Sequence, residues 1–191
     1  GYCKDSWKNG KKVREWQGGE DVIAVAYDTA VPGFNTFNCN TLRLWKSFPS
    51  SEFNFDAFNK GDHQHALSQR DQANYITSVL YPNDNMMSGK ELRLKQEYFF
   101  SSASVQYVVS EFNKLNLPWN DFPKYNCIQL NDTHPTIALV ELLRILIDDY
   151  DLEYKDAFDI VQKTFNYTNH TVLPEALEKW GADIFERLLP R

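Results

Sequence analysis

The chain has 191 residues, enough for one domain with a sizeable hydrophobic core. It carries 20 Lys and Arg against 26 Asp and Glu residues, a formal net charge of −6, and no basic stripe offers itself to nucleic acid. No stretch approaches the roughly 18 consecutive apolar residues of a membrane helix, and the first residues lack the apolar core of a secretory signal. Three cysteines without a CxxC pair favour a reduced setting. We therefore expect a cytoplasmic protein with neither a nucleic-acid partner nor a membrane segment.

The ends of the sequence resemble cut ends, because it begins at Gly1 without Met and stops at Arg191 directly after a helical pattern. We expect residues 1–191 to form a single partial domain of a longer protein. Aromatic residues make up 15% of the chain, and many lie beside Asn, Asp or Gly. This mixture is typical of a surface that binds sugars, whose C–H faces stack on rings while their hydroxyls bond to amides and carboxylates. An aromatic-rich core is the alternative explanation.

Turn residues and short apolar runs dominate the first third of the chain, and a helical pattern follows. The predicted elements are, in order, a hairpin or loop over 4–20, a buried strand over 21–27, a turn at Pro32-Gly33, a second short strand within 35–45, a loop region over 46–62 with a short helix at 55–59, and a helix over 63–79.

Proline and successive Asx residues at 81–85 break this helix, and a long helix is predicted over 90–114. A strand at 127–130 then leads through a polar loop into a helix that begins near Pro135, with Thr133 or His134 at its cap. Its predicted apolar stripe consists of Ile137, Val140, Leu143, Leu146 and Ile147. The last predicted elements are a helix over 154–165, a polar segment over 166–171 and a helix that starts at Pro174, with Glu175 and Glu178 in its first turn.

Two polar loops therefore precede helices of similar construction, at 131–134 and 169–171. In an α/β domain, loops at the carboxyl ends of parallel strands border the ligand crevice. Asn131, Asp132 and His134 on the first loop, with His170 on the second, supply the groups that bind sugar hydroxyls. The alternative is that Asp132 and Thr133 only cap a helix, and that Glu175 and Glu178 only complement a helix dipole.

A third polar cluster, Asn83-Asp84-Asn85, is followed by an apparent mobile loop, and a solvated turn is its simplest explanation. His63 and His65 do not predict a metal site, because residues two apart on a helix face different directions. The sequence contains no glycine-rich phosphate loop, nucleophile elbow or Cys–His motif.

A series of long motifs in the chain resembles those of the α-glucan phosphorylases in order and spacing. They lie at 26–34 (AYDTAVPGF), 40–45 (NTLRLW), 80–85 (LYPNDN), 89–99 (GKELRLKQEYF), 128–135 (IQLNDTHP) and 167–178 (YTNHTVLPEALE). The likeness covers nearly everything from residue 21 to 191, and several long motifs in order are far more specific than a single short pattern.

The resemblance implies an enzyme dependent on pyridoxal phosphate that cleaves the terminal α-1,4 glucosyl bond of glycogen, starch or maltodextrin. Orthophosphate is the second substrate and α-glucose 1-phosphate the product, with retention of configuration. The implied fold is α/β, two Rossmann-like domains of the GT-B type, usually as a homodimer. In this family the Schiff-base lysine and the phosphate clamp come from a C-terminal domain, so we expect this internal segment of the N-terminal domain to be inactive alone.

Residue roles follow from the same resemblance. His170 resembles the active-site histidine whose side chain holds a glucose hydroxyl and whose backbone carbonyl faces the reacting carbon. Asp84 and Asn85 resemble the residues of a gate loop that touches the bound sugar and moves to admit phosphate, and Asn83 lies beside them. The residues similar to those lining the pocket beside the glucose site are Asp132, His134, Arg93, Thr171, Glu175 and Glu178.

The sequence departs from the regulated animal enzymes of the family at two places. Met86-Met87 replace the aromatic pair of a purine inhibitor site, and Val109-Ser110-Glu111-Phe112 replace the paired arginines that bind the AMP phosphate. Glu111 would repel a nucleotide phosphate, so we expect no AMP activation.

Two other classes of function are consistent with the same loops. One is a non-catalytic carbohydrate-binding or glycogen-targeting module on the same scaffold, and the other is a glycosyltransferase that uses a sugar nucleotide. The first would lack the downstream lysine and phosphate clamp, and the second would need a nucleotide site, of which the sequence gives no sign.

Overall fold

The structure is a computed structural model that describes residues 1–8, 10–50 and 58–191, with only the backbone described at 8, 63–67, 69 and 175. Most of the short helix predicted at 55–59 lies outside the described residues. The described chain forms two compact units, one made of residues 1–19 with 97–191 and the other of residues 20–96. Both helices and strands occur, so the predicted α/β class is confirmed in its mixed composition.

The strands are β1 (Tyr2–Lys8), β2 (Lys11–Gln17), β3 (Val22–Pro32), β4 (Cys39–Pro49), β5 (Ile128–Asn131) and β6 (Phe165–Thr168). The helices are α1 (His63–Ser78), α2 (Met87–Asn113), α3 (Phe122–Tyr125), α4 (Ile137–Asp148), α5 (Tyr154–Thr164) and α6 (Ala182–Leu188), with single 3₁₀ turns at Trp119–Asp121 and Pro174–Ala176. None of the described helices is both long enough and apolar enough to span a membrane.

The unit of residues 20–96 is built on the antiparallel hairpin of β3 and β4, in which Val22 lies opposite Pro49. The predicted turn is confirmed, since Gly33 N–H donates to the Asn38 carbonyl at 2.9 Å. The predicted loop from residue 46 is wrong at its start, because β4 continues to Pro49.

The predicted burial of the strand at 21–27 is also wrong within this chain. Ile23 is 48% exposed, Val25 38% and Tyr27 53%. The described residues give this sheet only two strands, and α1 packs on β4, where the Ser47 N–H donates to Thr77 Oγ1 at 3.1 Å. The apolar run therefore predicted the strand correctly, but it did not predict how far the strand is buried.

Helices α1 and α2 match the predicted helices closely, and the break between them falls where proline and Asx residues predicted it. Gln96, a buried residue of α2, donates its amide hydrogens to the carbonyls of Ile76 and Val79 at 2.8 Å each. Carbonyls at the end of a helix have no partner within the helix. The side chain of Gln96 thus supplies hydrogen-bond donors to carbonyls at the end of α1 within this unit.

The unit of residues 1–19 and 97–191 contains the confirmed N-terminal hairpin, β1 with β2, and a parallel pair, β5 with β6. In the parallel pair Ile128 lies opposite Phe165 and Asn131 opposite Thr168. Helices α4 and α5 form the connection that parallel strands require. The sequence does not predict strand β6, because residues 166–171 have the pattern of a polar segment.

The core of this unit lies among α2, α4 and α5. Val109 and Phe112 of α2 pack with Leu142, Ile145 and Ile160, all at most 4% exposed. The predicted stripe on α4 is confirmed in part, because Leu146 is buried and Leu143 and Ile147 pack against the core. It is wrong at Val140, which is 57% exposed, and it omitted the buried residues Ala138, Leu142 and Ile145. Most residues of α4 are apolar, so their spacing does not determine which face of the helix is buried.

Two predicted helix starts are displaced. Helix α4 begins at Ile137 instead of Pro135, and residues 133–136 form a turn in which the Thr136 N–H donates to the Thr133 carbonyl at 3.1 Å. Pro174 starts a single 3₁₀ turn and not the predicted helix. Neither Thr133 nor His134 caps α4, and Glu178 is not in the first turn of a helix.

Candidate functional site

Strands β5 and β6 end at the same edge of their sheet. Asn131 pairs with Thr168, and the next hydrogen bond runs from the Asp132 N–H to the Thr168 carbonyl at 2.8 Å. Because the strands are parallel, the loops at 131–134 and 169–171 leave this edge side by side. The convergence expected from the sequence is therefore present.

Direct hydrogen bonds join the two loops. The His170 N–H donates to Asp132 Oδ1 at 3.2 Å, and the His170 ring nitrogen Nε2 bonds to Asn131 Oδ1. Asp132 has a φ of 65°, a left-handed conformation that Asp tolerates better than most residues. The Asp132 carboxylate thus holds the neighbouring loop, which is a different task from the helix cap considered for it.

Glu178 belongs to the same cluster. The Thr133 hydroxyl donates to Glu178 Oε2 at 3.1 Å, which joins the first loop to the segment after the 3₁₀ turn. Within the second loop, the Thr171 N–H donates to Asn169 Oδ1 at 2.8 Å, a local turn that fixes the chain beside His170. Glu178 therefore reaches the site although the predicted helix around it does not form.

The polar groups of these loops stay accessible. Asn131 and His170 are exposed, and the half-buried members of the cluster are Asp132, Thr133, His134, Asn169, Thr171 and Glu178. The side chain of Glu175 lies outside the described residues. Amide, carboxylate and imidazole groups at the end of a parallel sheet are typical of sites that bind polar small molecules.

The remaining predicted site residues lie in the other unit and are described separately. Asn83, Asp84 and Asn85 are exposed, and the Asn85 N–H donates to Asn83 Oδ1 at 3.0 Å, as in a tight Asx turn. The guanidinium of Arg93 lies 3.6 Å from the Asp84 carboxylate. The structure thus links Arg93 to this turn.

Gly89, in the first turn of α2, lies against the Asn83-Asp84-Asn85 turn and is not among the predicted site residues. A Cβ atom at Gly89 would lie 1.8 Å from the Asn83 carbonyl oxygen, so only glycine permits this approach. The signal in the sequence is a lone glycine directly before the predicted helix over 90–114, since glycine allows a close backbone contact.

A second polar cluster lies beneath α4 and is built differently. Glu141, 3% exposed, accepts hydrogen bonds from the Ser102 hydroxyl at 2.7 Å, the Tyr98 hydroxyl at 3.1 Å and the Arg144 guanidinium at 2.9 Å. Burial opposes the charge of Arg144, but the hydrogen bond to Glu141 raises its pKa. Burial and the Glu141 charge raise the pKa of Tyr98 to about 12.

A cavity of about 60 Å³ adjoins this buried cluster and is lined in part by Trp16, Tyr98 and Arg191. Ligand pockets are usually on the order of 300 Å³ or more. Its charged groups are also paired, since Arg191 donates to both oxygens of Asp148, at 2.9 and 2.6 Å. The cavity therefore belongs to the packing of this unit. Within the described part of the chain, no group of His, Cys, Asp and Glu residues is arranged to hold a metal ion.

Comparison with known proteins identifies the family of the chain. A sequence profile described as carbohydrate phosphorylase matches residues 1–191. The chain is 54% identical over 184 residues to glycogen phosphorylase 2 of Dictyostelium discoideum, covering 96% of this chain and 18% of that protein. It is 56% identical over 177 residues to glycogen phosphorylase of Saccharomyces cerevisiae, covering 93% and 20%. It is 49% identical over 190 residues to the chloroplastic or amyloplastic α-1,4 glucan phosphorylase L isozyme of Vicia faba, covering 97% and 19%.

The chain belongs to the carbohydrate phosphorylase family. The resemblance inferred from the motifs is thereby confirmed. The chain spans about a fifth of the length of these relatives.

Proposed function

We propose that this chain is an internal segment of the N-terminal, Rossmann-like domain of an α-1,4-glucan phosphorylase. It would supply part of the active-site surface that binds the sugar. The whole enzyme would transfer the terminal glucosyl unit of glycogen, starch or maltodextrin to orthophosphate and release α-glucose 1-phosphate. Family membership and the names of the relatives support this reaction. The observation that carries the proposal is the hydrogen bond between the His170 N–H and the Asp132 carboxylate at the end of the β5–β6 sheet.

His170 is the proposed catalytic residue. Its exposed imidazole is available to a glucose hydroxyl, and its backbone carbonyl would face the reacting carbon. Cleavage of a glycosidic bond passes through an oxocarbenium-like transition state. A fixed carbonyl dipole stabilises that positive charge without reorganising during the reaction. The bond from the His170 N–H to Asp132 supports this role, because it holds the backbone at this position.

The other candidates would bind and orient the sugar. Asp132 and Glu178 would contribute carboxylate oxygens, and His134, Thr171 and Glu175 would line the pocket beside the glucose. Arg93, which belongs to the other unit, is proposed as a further sugar-binding residue on the resemblance alone. Asn83, Asp84 and Asn85 would form the gate that admits phosphate. The tight turn and the Arg93–Asp84 pair support an ordered conformation of this segment.

Pyridoxal phosphate is the cofactor that the family implies, and the two loops do not fit it. They contain no lysine for a Schiff base, and Asp132, together with the Glu178 carboxylate bonded to the first loop, would repel a phosphate. We therefore assign the cofactor site to a C-terminal domain outside this chain. A GT-B fold, a homodimer and a cytoplasmic location are further parts of the proposal.

The test is an assay of the full-length protein with maltodextrin or glycogen and orthophosphate. Formation of α-glucose 1-phosphate supports the proposal, and residues 1–191 alone should form none. The alternative, a non-catalytic carbohydrate-binding module, predicts glucan binding by the full-length protein without any sugar phosphate. That result would overturn the proposed reaction.

A further inference from the structure

We propose that Asn131 is a positioning residue that sets the tautomer of His170, so that the free ring nitrogen accepts a hydrogen bond from one sugar hydroxyl. The inference rests on the proposed function and adds to it a residue and a direction for the hydrogen bond. Its starting point is the contact between Asn131 Oδ1 and His170 Nε2.

The direction follows from the chemistry of the two atoms. An amide oxygen only accepts hydrogen bonds, so Nε2 of His170 must carry the hydrogen. In a neutral imidazole the other nitrogen, Nδ1, then has a free lone pair. The residue bonded to one ring nitrogen thereby decides what the other can do. With Asn131 in place, His170 presents an acceptor at Nδ1 to the sugar.

Backbone pairing between β5 and β6 holds Asn131 in place. It is the last residue of β5 and pairs with Thr168, and the backbone bond from Asp132 to Thr168 follows directly, at 2.8 Å. The next side chain along, that of Asp132, holds the His170 N–H. Two consecutive residues at the end of one strand therefore fix the ring and the backbone of His170 separately.

Burial argues that the Asn131–His170 bond is not needed for the fold. Both side chains are exposed, so the core loses nothing when the bond is removed. Asn166 offers a matched control because it is an exposed asparagine of the same sheet. Its amide donates to Cys127 Sγ at 3.3 Å and bonds to neither loop in the structure.

The test uses the full-length enzyme in the synthesis direction, with glucose 1-phosphate and its 2-, 3-, 4- and 6-deoxy analogues as donors. The hydroxyl that contacts His170 is the one whose removal no longer matters in His170→Ala. We expect Asn131→Leu, which is isosteric but accepts no hydrogen bond, to lower kcat/KM for glucose 1-phosphate about 10-fold, the effect of one well-placed hydrogen bond. Its kcat/KM for that one deoxy analogue should hardly change.

Three further measurements sharpen the result. Asn166→Leu should keep the wild-type preference among all the donors. Asn131→Asp, which retains an accepting oxygen, should keep the discrimination that Asn131→Leu loses. The double variant Asn131→Leu with His170→Ala should be no slower than His170→Ala alone, because residues that act through one another are not additive.

Equal losses with every donor, or a double variant slower than His170→Ala alone, would overturn the role of Asn131. The proposed function would still stand in that case, since the wild-type enzyme remains active. A wild-type enzyme that forms no glucose 1-phosphate from glucan and phosphate would remove the proposed function and the inference with it.

Discussion

The two polar clusters on either side of α4 use the same kinds of side chain for different purposes. Beneath the helix, Glu141 is buried and its oxygens accept from Tyr98, Ser102 and Arg144. At the end of the β5–β6 sheet, Asp132 holds the next loop, and the ring of His170 is exposed. Burial and internal pairing, more than residue type, therefore distinguish the structural carboxylate from the one at the candidate site.

The largest effect should come from breaking the buried cluster. Glu141→Ala removes the buried acceptor of the Tyr98 and Ser102 hydroxyls and leaves Arg144 only its longer contacts to Asp148 and Asp149, at 4.0 and 3.8 Å. The expected cost is about 3 kcal/mol of unfolding free energy. The measurement is the thermal unfolding midpoint of the full-length enzyme, which should fall by several degrees. Glu111→Ala is the control, because this exposed residue pairs with Lys114 at the surface, at 2.5 Å, and such pairs contribute about 0–1 kcal/mol. Equal shifts in both variants would contradict the distinction.

The reverse pattern is expected at the exposed cluster. His170→Ala should lower kcat/KM for phosphorolysis by roughly 10- to 100-fold, the loss of one hydrogen bond to the sugar with some loss of orientation. The unfolding midpoint should stay within the error of the wild type, because the ring is exposed and outside the core. A lower midpoint with unchanged kinetics would place His170 with the structural residues instead.

Tyr98 allows the buried cluster to be examined by pH. Its pKa is raised to about 12 by burial and by the Glu141 charge, against about 10 in an unfolded chain. The folded state therefore binds more protons than the unfolded state between these values, and stability falls as pH rises through that window. Tyr98→Phe should remove that part of the alkaline loss, at most about 1.4 kcal/mol per pH unit. At neutral pH it should cost about 1 kcal/mol.

The pH experiment compares thermal unfolding midpoints of the full-length enzyme from pH 8 to 11. Tyr107→Phe, an exposed tyrosine on the same helix, is the control and should follow the wild-type curve. Parallel curves for wild type and Tyr98→Phe above pH 10 would show that the Tyr98 hydroxyl keeps its proton no more tightly in the folded state.

A third kind of carboxylate, exposed at the end of α2, extends the comparison and should give the smallest effect. Glu111 stands where regulated relatives are expected to bind the AMP phosphate, and a carboxylate repels that group. The activity of the full-length enzyme at saturating substrate should not rise on addition of AMP. A large activation would refute this prediction.

Much of the fold could be predicted from the sequence where elements are long or bounded by strong turn residues. The helices α1 and α2, the strand at 128–131 and the break at 81–85 all lie within a few residues of their predicted positions. The meeting of the two polar loops followed from the predicted strand before the first loop and from their similar positions before helices, together with the family motifs.

The errors share a physical cause: local patterns do not report distant partners. Strand β6 has four residues, and its pairing with β5 depends on contacts about 37 residues away in the chain. The burial of Glu141 was also not predicted, because it depends on hydrogen bonds from Tyr98 and Ser102 on α2. The bond between Asn131 and His170 could likewise not be read from spacing.

Gly89 gives a simple criterion for comparing sequences of this family. Its hydrogen atom occupies the space where a methyl group would collide with the Asn83 carbonyl, at 1.8 Å. A relative that keeps the Asn83-Asp84-Asn85 triplet but carries alanine or a larger residue at the position of Gly89 must fold that turn differently. Such a substitution would mark an enzyme whose proposed gate has diverged, even where every side chain at the proposed sugar site is the same.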